Sequence, residues 1–360
     1  MWFNSWIQID QEFPSTDEVL SADCRTRRVQ GDADCDILIT GLIHYSGGGW
    51  RSSIASRGLT GARKPFMFTQ QDVLELNRTS WTYANRRFNE RKGDFAQAIQ
   101  NGHGPPEPFL DILTPRPTDN ILQLLCNDGR EAAAISHQTG AYIHGVDFSD
   151  DAISFATRLN QHLSLTNRFT VSEVYSYLSS GTPEKYDKIL LTLGSLRWLP
   201  DLPAFFNLCS RWLLASGIIT VWDFHPLPQC LDEDRRLINN YPLSPTSYKR
   251  GEGVRDYVGE QFDFHMFSRR PKQSNVFHNP HPVYISEYSC AHVVTAAIAT
   301  RCFALTSYIE YPFSWEEKCC SWLVATPNGC YRAPPDVPVL PLTFALQFSL
   351  LESQRPGNHV

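Results

Sequence analysis

Two residues of this chain, Gly129 and Asp147, have the types and the spacing that a nucleoside-binding site requires. Gly129 lies in a turn that follows the apolar run 121–126, and Asp147 directly follows the second apolar run, 142–146. A carboxylate at the end of the second strand of a βαβ unit, about 20 residues beyond the glycine turn, accepts hydrogen bonds from a ribose diol. We therefore predict that Asp147 binds a ribose.

Two classes of cofactor fit this arrangement, and the turn discriminates between them. A dinucleotide needs the pattern G-x-G-x-x-G, so that its pyrophosphate approaches the backbone at the helix N-terminus. This chain has only Gly129 in the turn 127–129. S-adenosylmethionine (SAM) carries no phosphate and needs one close backbone approach together with the ribose carboxylate. The turn therefore favours SAM, and a nicotinamide-dependent oxidoreductase is the less favoured alternative.

Four short motifs follow one another along the chain: CNDG at 126–129, VDFS at 146–149, WLPD at 198–201 and DFHP at 223–226. On these motifs the sequence resembles the class I SAM-dependent methyltransferases, and more narrowly a group of small-molecule type whose first motif is Cys-x-x-Gly. The resemblance extends from about residue 71 to the C-terminus. It implies a cofactor site that also includes Cys126, Asn127, Phe148, Val174, Thr192 and Gly194.

The sequence departs from the commonest class I pattern, D-x-G-x-G-x-G, at three positions. The acidic position falls on Gln123, and the first two glycines fall on Leu125 and Asn127. Gln123 can still hydrogen-bond the methionine amine, without the charge of an acid. We interpret the site as altered but working. The alternative is a SAM-binding protein that transfers no methyl group or uses the pocket for another reaction.

Glu173 and His225 are candidates for defined roles. Glu173, in the predicted third strand 168–174, occupies the place where methyltransferases of this class put a polar side chain beside the adenine amine; an ordinary surface glutamate is the alternative. His225 directly follows the predicted fifth strand 218–224. Methyl transfer is an in-line displacement that needs a base only where the acceptor loses a proton, and a neutral His225 suits that role. A packing role is the alternative for His225, and we predict no metal site.

These residues need an α/β scaffold to bring them together. Apolar runs predict strands at 121–126, 142–146, 168–174, 186–193, 218–224, 305–311 and 342–350, with helices at 131–136, 150–163, 203–214 and 290–304. The resemblance implies a Rossmann-like seven-stranded sheet flanked by helices, mostly parallel, with the last strand antiparallel beside the fifth. Ligands of such sheets bind outside the carboxyl ends of the strands, where Gly194 then lies.

We predict one methyltransferase domain, residues 66–360, preceded by a loosely packed extension, residues 1–65. Residues 71–98 are helical in character, and NRRFNER at 85–91 occupies the place of a segment that packs over the cofactor in the resembling group. A helix that only docks on the core is the alternative. The stretch 227–282 lacks long periodicity and is predicted to be an inserted lid that selects the substrate.

Composition agrees with an enzyme that acts on small molecules. The 360 residues are 42% apolar and carry a formal net charge of −6 at pH 7, which gives no electrostatic signal for nucleic acid. No apolar run reaches the length of a membrane-spanning helix. The ten cysteines form no CxxC pair, which favours reduced thiols and the cytoplasm.

The predicted function is transfer of a methyl group from SAM to a nucleophilic O, N, S or C of a small molecule, with secondary metabolism as one setting. A rival of a different class is an interaction scaffold that uses the aromatic C-terminal loops.

Overall fold

The computed structural model describes residues 42–46, 49–53, 70–89, 95–180, 183–232, 234–251, 253–254, 279–315, 320, 322–327 and 329–351. Contacts between Cα atoms divide the chain into two compact units, Met1–Pro65 and Phe66–Val360. In the first unit, the described residues form an antiparallel strand pair, β1 (Leu42–Ser46) and β2 (Gly49–Ser53). The rest of the predicted loose extension lies outside the described residues.

Three helices precede the central sheet of the second unit: α1 (Gln70–Asn89), α2 (Phe95–Gln100) and α3 (Glu107–Leu113). The predicted helical stretch 71–98 therefore contains two helices. Pro108 lies in the first turn of α3, where the missing N–H breaks no helical hydrogen bond. No described helix has both the length and the apolar character needed to cross a membrane.

The parallel half of the sheet alternates strands with helices. In chain order the elements are β3 (Asn120–Leu124), α4 (Arg130–Thr139), β4 (Tyr142–Asp147), α5 (Asp150–His162), β5 (Arg168–Val171), α6 (Val174–Ser179), β6 (Tyr186–Leu191), α7 (Leu202–Ser210) and β7 (Leu213–Phe224). Ser149 caps α5 by accepting the backbone N–H of Ala152, as the sequence Ser-Asp-Asp predicts.

The C-terminal part contains β8 (Thr246–Gly251), β9 (Val283–Glu287), α8 (Cys290–Ala299), β10 (Phe303–Tyr311), β11 (Phe313–Trp315), β12 (Val324–Ala325), β13 (Cys330–Arg332) and β14 (Thr343–Leu350). Strand β8, which lies within the predicted lid insertion, pairs with β9, which begins directly after it. Much of the insertion between them lies outside the described residues.

The sheet order confirms the predicted fold. Seven strands run in the order β10-β14-β7-β6-β3-β4-β5. The last strand, β14, lies between β7 and β10 and is antiparallel to both, while the pairs from β7 to β5 are parallel. The carboxyl ends of β3, β4 and β6 therefore meet at one edge of the sheet, where ligands of open α/β sheets bind.

Several predicted elements differ from the structure for local reasons. Strand β5 ends at Val171 because Glu173 caps α6, a helix that the sequence analysis missed. Helix α7 ends at Ser210 and β7 begins at Leu213, since Gly217 lies within the strand rather than after a helix. A Cβ on Gly217 would lie 3.0 Å from the carbonyl oxygen of Leu214. Two further errors follow β9.

Helix α8 ends five residues earlier than predicted, since Arg301 adopts a left-handed conformation with a φ of 59°. Between the predicted strands 305–311 and 342–350, where no strand was predicted, the chain forms β11, β13 and β12, which pair with one another. The Phe and Trp side chains of β11 are buried. Short paired strands rather than an irregular loop therefore form this part of the chain.

Side chains from both faces bury the central strand β3. Leu122 and Leu124 pack into the cluster on the side of α7 and α8, whereas Ile121 packs on the opposite side with α3. All three are fully buried, so replacing any of them by Ala would cost about 2–5 kcal/mol of stability. The apolar run, which only Gln123 interrupts, predicted this burial on both faces, and the burial fixes the strand end that carries the site.

Candidate active site

The turn between β3 and α4 holds three residues in the left-handed region. The φ angles are 56° for Leu125, 47° for Asn127 and 69° for Gly129. These are the three positions that are glycine in D-x-G-x-G-x-G. The left-handed conformation costs a residue with a Cβ roughly 1–2 kcal/mol, and Asn tolerates it better than Leu. The chain therefore keeps the backbone path that glycines permit, with strain at Leu125 of the kind found at functional sites.

Asp147 ties this turn to the end of β4. Its Oδ2 accepts the backbone N–H of Asn127 at 2.9 Å, and its Oδ1 accepts that of Ser149 at 2.9 Å. Asp147 is 8% exposed, and burial raises its pKa to about 6 against the lowering effect of the backbone N–H groups. Each carboxylate oxygen has a second lone pair, which a ribose hydroxyl can use.

Packing by itself requires glycine at position 129. A Cβ there would lie 2.6 Å from Ala156 Cβ on α5 and 2.9 Å from the ring of Phe169 on β5. Close approach to a cofactor was the predicted reason, but the contact with α5 and β5 is a sufficient one. A Gly129 substitution therefore tests the fold of the turn rather than cofactor binding.

Cys126 fills the space beside a second glycine. A Cβ on Gly145 of β4 would lie 2.8 Å from Cys126 Sγ, so these two positions fit each other. Burial raises the pKa of the Cys126 thiol well above its ordinary value, which keeps it neutral. The Cys126 backbone also shapes the turn, because its carbonyl oxygen accepts the N–H of Gly129 at 3.0 Å.

Gln123, Glu131 and Thr192 form one hydrogen-bonded group at the ends of β3 and β6 and the start of α4. Gln123 Nε2 donates to Glu131 Oε2 at 2.9 Å and to Thr192 Oγ1 at 3.2 Å. The Thr192 hydroxyl donates to the same Glu131 oxygen. The structure thus brings predicted site residues Gln123 and Thr192 together with a carboxylate that the sequence analysis did not consider.

Helix α1 docks beside the end of β4. Asn85 is fully buried and its Nδ2 donates to Ser149 Oγ at 3.0 Å, next to Asp147 and the half-buried Phe148. Arg86 forms an exposed ion pair with Asp151 of α5 at 3.0 Å. The first residues of the NRRFNER segment therefore lie at the N-terminus of α5, as the predicted covering helix requires, and residues 90 and 91 lie outside the described residues.

Glu173 caps α6 rather than ending a strand. Its Oε1 accepts the backbone N–H of Tyr175 at 3.0 Å and its Oε2 that of Ser176 at 2.7 Å. Val174 is the first residue of this helix and is buried. The capping bonds orient the Glu173 carboxylate at the end of β5, and its contact with adenine stays a prediction.

Asp223 holds the loop that follows β6. Its Oδ1 accepts the N–H of Gly194 at 2.6 Å and its Oδ2 accepts that of Leu196 at 2.9 Å. Gly194 has a φ of 80°, which the turn needs. Ser195 is buried and its hydroxyl donates to the carbonyl oxygen of Thr192 at 2.5 Å, so that hydroxyl serves the turn.

His225, which follows β7, pairs with a carboxylate on β10. Its Nε2 lies 3.3 Å from Glu310 Oε1, and Tyr308 donates its hydroxyl to the same carboxylate oxygen at 2.6 Å. The backbone N–H of Leu227 donates to His225 Nδ1 at 3.2 Å. Burial lowers the pKa of His225, with Glu310 acting in the opposite direction, so the ring is neutral near pH 7 and carries its proton on Nε2.

Cys290, at the start of α8, lies beside this pair. Among the residues that the structure describes, His225, Cys290 and Glu310 offer ligand atoms that all lie within 4.8 Å of one another. Zinc binds such sets through an unprotonated imidazole nitrogen. The backbone N–H of Leu227 instead donates a hydrogen bond to Nδ1, so the proton of the ring lies on Nε2, the nitrogen that faces Glu310. The geometry therefore describes a histidine–carboxylate hydrogen bond.

Two carboxylates of the site, Glu131 and Glu310, were not predicted from the sequence, and Asp223 was noted only as the first residue of the DFHP motif, without a role. Asp223 gave a usable signal, because it follows an apolar stretch of β7 and is buried, where a charge is costly unless it has partners. Glu310 gave none, because it is exposed on a strand that also contains Thr and Ser. Glu131 gave none beyond its place in the first turn of α4, where acidic residues are common for electrostatic reasons.

The residues of the sheet edge fit SAM. Gln123 Oε1 and Asn127 Oδ1 are buried and have no hydrogen-bond partner among the described residues. A buried acceptor left unsatisfied costs about 1–3 kcal/mol, which a ligand's donors would offset. SAM offers such donors in its ammonium group, ribose hydroxyls and adenine amine, and it is a cation that suits the carboxylates Glu131 and Asp147.

No protein-family model and no curated protein matches the chain. Solved structures of similar fold include a provisionally assigned SAM-dependent methyltransferase of Listeria monocytogenes, with 15% identity over 68% of this chain and 97% of that one and a TM-score of 0.43. A SAM-dependent methyltransferase of Clostridium acetobutylicum has 12% identity over 76% of this chain and 92% of that one, with a TM-score of 0.40.

A geranyl diphosphate C-methyltransferase of Streptomyces coelicolor, in complex with Mg²⁺, geranyl diphosphate and S-adenosyl-L-homocysteine, has 12% identity over 68% of this chain and 79% of that one, with a TM-score of 0.40. Identities and TM-scores at this level do not assign an activity. The chemistry of the site therefore has to follow from its own residues.

Proposed function

We propose that the chain is a SAM-dependent methyltransferase that acts on a small molecule. The observation that carries the proposal is the Asp147 carboxylate, which accepts the N–H groups of Asn127 and Ser149 and so joins the end of β4 to the turn after β3. A ribose-binding acid is thereby fixed against a turn whose left-handed residues keep the glycine-type path. This combination supports an adenosyl ligand at the sheet edge.

The charge at the start of α4 favours SAM over a nicotinamide dinucleotide. A pyrophosphate binds at a helix N-terminus through free backbone N–H groups. Glu131 lies in the first turn of α4, and its carboxylate would repel a pyrophosphate there. The same carboxylate attracts a cation, and SAM carries positive charge on both its sulfonium and its ammonium groups.

When bound, SAM would supply a methyl group on its sulfonium sulfur. The acceptor attacks this methyl group in line, and the sulfur is the leaving group. In the proposal, Asp147 holds the ribose, Glu173 and Val174 flank the adenine, and Phe148 lies beside the adenosine. Gly194, oriented by Asp223, lines the passage to the acceptor. The protein's task is mainly alignment, since the displacement itself needs no covalent catalyst.

His225 and Glu310 are the proposed proton-accepting pair for an acceptor that must lose a proton. His225 takes the proton at Nδ1, and the Nε2–H bond to Glu310 stabilises the imidazolium that forms. Because Leu227 N–H donates to Nδ1 at 3.2 Å, the first residues of the lid insertion must move before Nδ1 can act. Acceptor binding under the lid would supply that motion.

Small-molecule acceptors, reducing conditions and a cytoplasmic location belong to the same proposal. A net charge of −6 disfavours nucleic acid as the substrate. Six cysteines of the described residues are buried free thiols: Cys126, Cys209, Cys230, Cys290, Cys302 and Cys330. Unpaired thiols in this number favour a reducing compartment.

Calorimetric titration of the full-length protein with SAM, S-adenosylhomocysteine and NAD tests the proposal. We expect saturable binding of both adenosyl ligands and none of NAD. Binding of NAD alone would support the oxidoreductase. Binding of SAM without methyl transfer to any member of an acceptor library would support the non-transferring alternative, and binding of neither class of ligand would contradict the cofactor assignment.

A further inference from the structure

Three side chains that can bind a metal ion meet beside the carboxyl ends of β7 and β10. His225 follows β7, Cys290 is the first residue of α8 and Glu310 lies on β10. Their ligand atoms are an imidazole nitrogen, a thiol sulfur and a carboxylate oxygen, and all lie within 4.8 Å of one another. Because the three residues are far apart in the sequence, the spacing of histidines and cysteines did not predict this group, which we call the His–Cys–Glu set.

The separations in the His–Cys–Glu set are close to those around a tetrahedral zinc ion. Zinc binds nitrogen and oxygen at about 2.0–2.2 Å and thiolate sulfur at about 2.3 Å, so two ligand atoms of one ion lie roughly 3.3–3.8 Å apart. His225 Nε2 and Glu310 Oε1 are 3.3 Å apart. No other separation in the set exceeds 4.8 Å, and a shift of about 1 Å brings such a pair into the zinc range. One ion can therefore contact all three side chains.

The ligand types select the metal. Thiolate and imidazole favour zinc and similar ions, whereas magnesium and calcium prefer sets of oxygen ligands. The thiol of Cys290 loses its proton when such an ion binds. His225 and Cys290 are buried, while the Glu310 side chain is 45% exposed. Glu310 therefore gives an ion access to the set from solvent.

Metal binding and the hydrogen bond from His225 to Glu310 exclude each other. The backbone N–H of Leu227 donates to His225 Nδ1 at 3.2 Å, which leaves the ring proton on Nε2. A metal ion binds Nε2 only when that nitrogen carries no proton, so the ring proton must move to Nδ1. Two donors, Nδ1–H and the N–H of Leu227, would then face each other. Leu227, at the start of the lid insertion, therefore has to move when an ion binds.

We propose that His225, Cys290 and Glu310 form a binding site for a divalent ion of the zinc type, and that the bound ion switches the His225 base off. With the ion on Nε2, Nδ1 carries the ring proton and cannot take one from an acceptor. The Cys290 thiol releases its proton to solvent, and no electron is transferred. The site itself stands on the three side chains, whereas its effect on methyl transfer rests on the proposed function.

Titration of the reduced full-length protein with Co²⁺, an absorbing substitute for zinc, tests the site. We expect one Co²⁺ per chain, with the charge-transfer absorption of a metal-bound thiolate. Cys290→Ser should lose this absorption and bind Co²⁺ more weakly by a factor on the order of 10². The matched control is Cys302→Ser, which replaces a buried cysteine just beyond the other end of α8. This variant should keep both the absorption and the affinity.

Two results of the titration would overturn the site: a wild type without thiolate absorption, or unchanged absorption in Cys290→Ser. If Cys290→Ser fails to fold, Glu310→Gln takes its place, because the exposed carboxylate tolerates an amide of the same shape. We expect Glu310→Gln to bind Co²⁺ at least about tenfold more weakly than the wild type. An unchanged affinity in that variant would overturn the site as well.

NMR of the histidine rings with and without Zn²⁺ tests the switch in the absence of SAM. We expect the proton of the His225 ring on Nε2 without Zn²⁺ and on Nδ1 at saturating Zn²⁺, with faster hydrogen exchange of the Leu227 amide. A proton that stays on Nε2 would overturn the switch. Normal binding of S-adenosylhomocysteine by a protein that binds no Co²⁺ would remove the metal site alone, whereas Co²⁺ binding by a protein that binds no adenosyl ligand would remove only the proposed function.

Discussion

Asp147 is the side chain whose replacement bears most directly on adenosyl binding. We expect Asp147→Ala to weaken S-adenosylhomocysteine binding on the order of 10- to 100-fold, since it removes charge-assisted hydrogen bonds to the ribose. Asp151→Ala removes a partly exposed aspartate, the second residue of α5, that pairs with Arg86, and this variant should bind normally. Calorimetry with both variants measures the effect, and undiminished affinity in Asp147→Ala would remove the ribose assignment.

The same residue predicts how binding depends on pH. Burial raises the pKa of Asp147 to about 6, above its ordinary value. The unliganded fold therefore loses stability as pH rises through about 6 and Asp147 ionises. Ribose hydroxyls donate to the ionised form. The affinity for S-adenosylhomocysteine should therefore be constant above pH 7 and fall toward roughly tenfold per unit well below pH 6. An affinity for S-adenosylhomocysteine that does not change between pH 5 and pH 8 would contradict binding of the ribose by the ionised Asp147 carboxylate.

We expect His225 and Glu310 to affect the rate of methyl transfer and not the affinity for the cofactor. With an acceptor that loses a proton, His225→Ala should lower the rate of methyl transfer by a factor on the order of 10²–10⁴, and Glu310→Gln should lower it less. His162→Ala, at the exposed end of α5, is the control. An unchanged rate in His225→Ala would mean that alignment alone drives the transfer.

The cofactor half of the site could be predicted because its residues are consecutive or lie in adjoining strands. Asn127, Gly129 and Asp147 follow from one βαβ pattern, and the structure joins Asn127 to Asp147 directly. The acceptor half could not be predicted in this way. His225 and Glu310 come from β7 and β10, which are separated by β14 in the sheet, and only the sheet order shows that they meet.

At the scale of elements, long buried strands were predictable and short capped segments were not. The apolar runs of β3 and β4 gave correct strands because burial on both faces leaves a continuous signal. Helix α6 was missed because its six residues span fewer than two helical turns, too few for a repeating pattern to show. Strand β11 was not predicted because its 3 residues are too few to show the alternation of a strand.

One buried hydrogen bond joins helix α1 to the N-terminal cap of α5. We expect Asn85→Ala to destabilise the protein by about 1–3 kcal/mol, because it removes a buried hydrogen bond to Ser149, and to increase hydrogen exchange throughout α1. The neighbouring variant Arg86→Ala breaks only an exposed ion pair and should change stability by less than about 1 kcal/mol. Equal effects of the two substitutions would contradict this docking of α1.

At the scale of the whole molecule, the division of the chain at Pro65 has a functional consequence. All of the residues assigned to the site lie in Phe66–Val360. We expect a protein consisting of residues 66–360 to fold with a cooperative thermal transition and to bind S-adenosylhomocysteine with the affinity of the full chain. A loss of affinity greater than about tenfold would place part of the site in the first 65 residues.

A crystal structure of the full chain with S-adenosylhomocysteine tests the central claim most directly. We expect the ribose hydroxyls within hydrogen-bond distance of the Asp147 carboxylate, the ligand across the carboxyl ends of β3, β4 and β6, and the sulfur within about 8 Å of the His225 ring, close enough for an in-line acceptor to reach both. A ligand bound elsewhere, or with its ribose away from Asp147, would contradict the assignment of this edge as the methyl-transfer site.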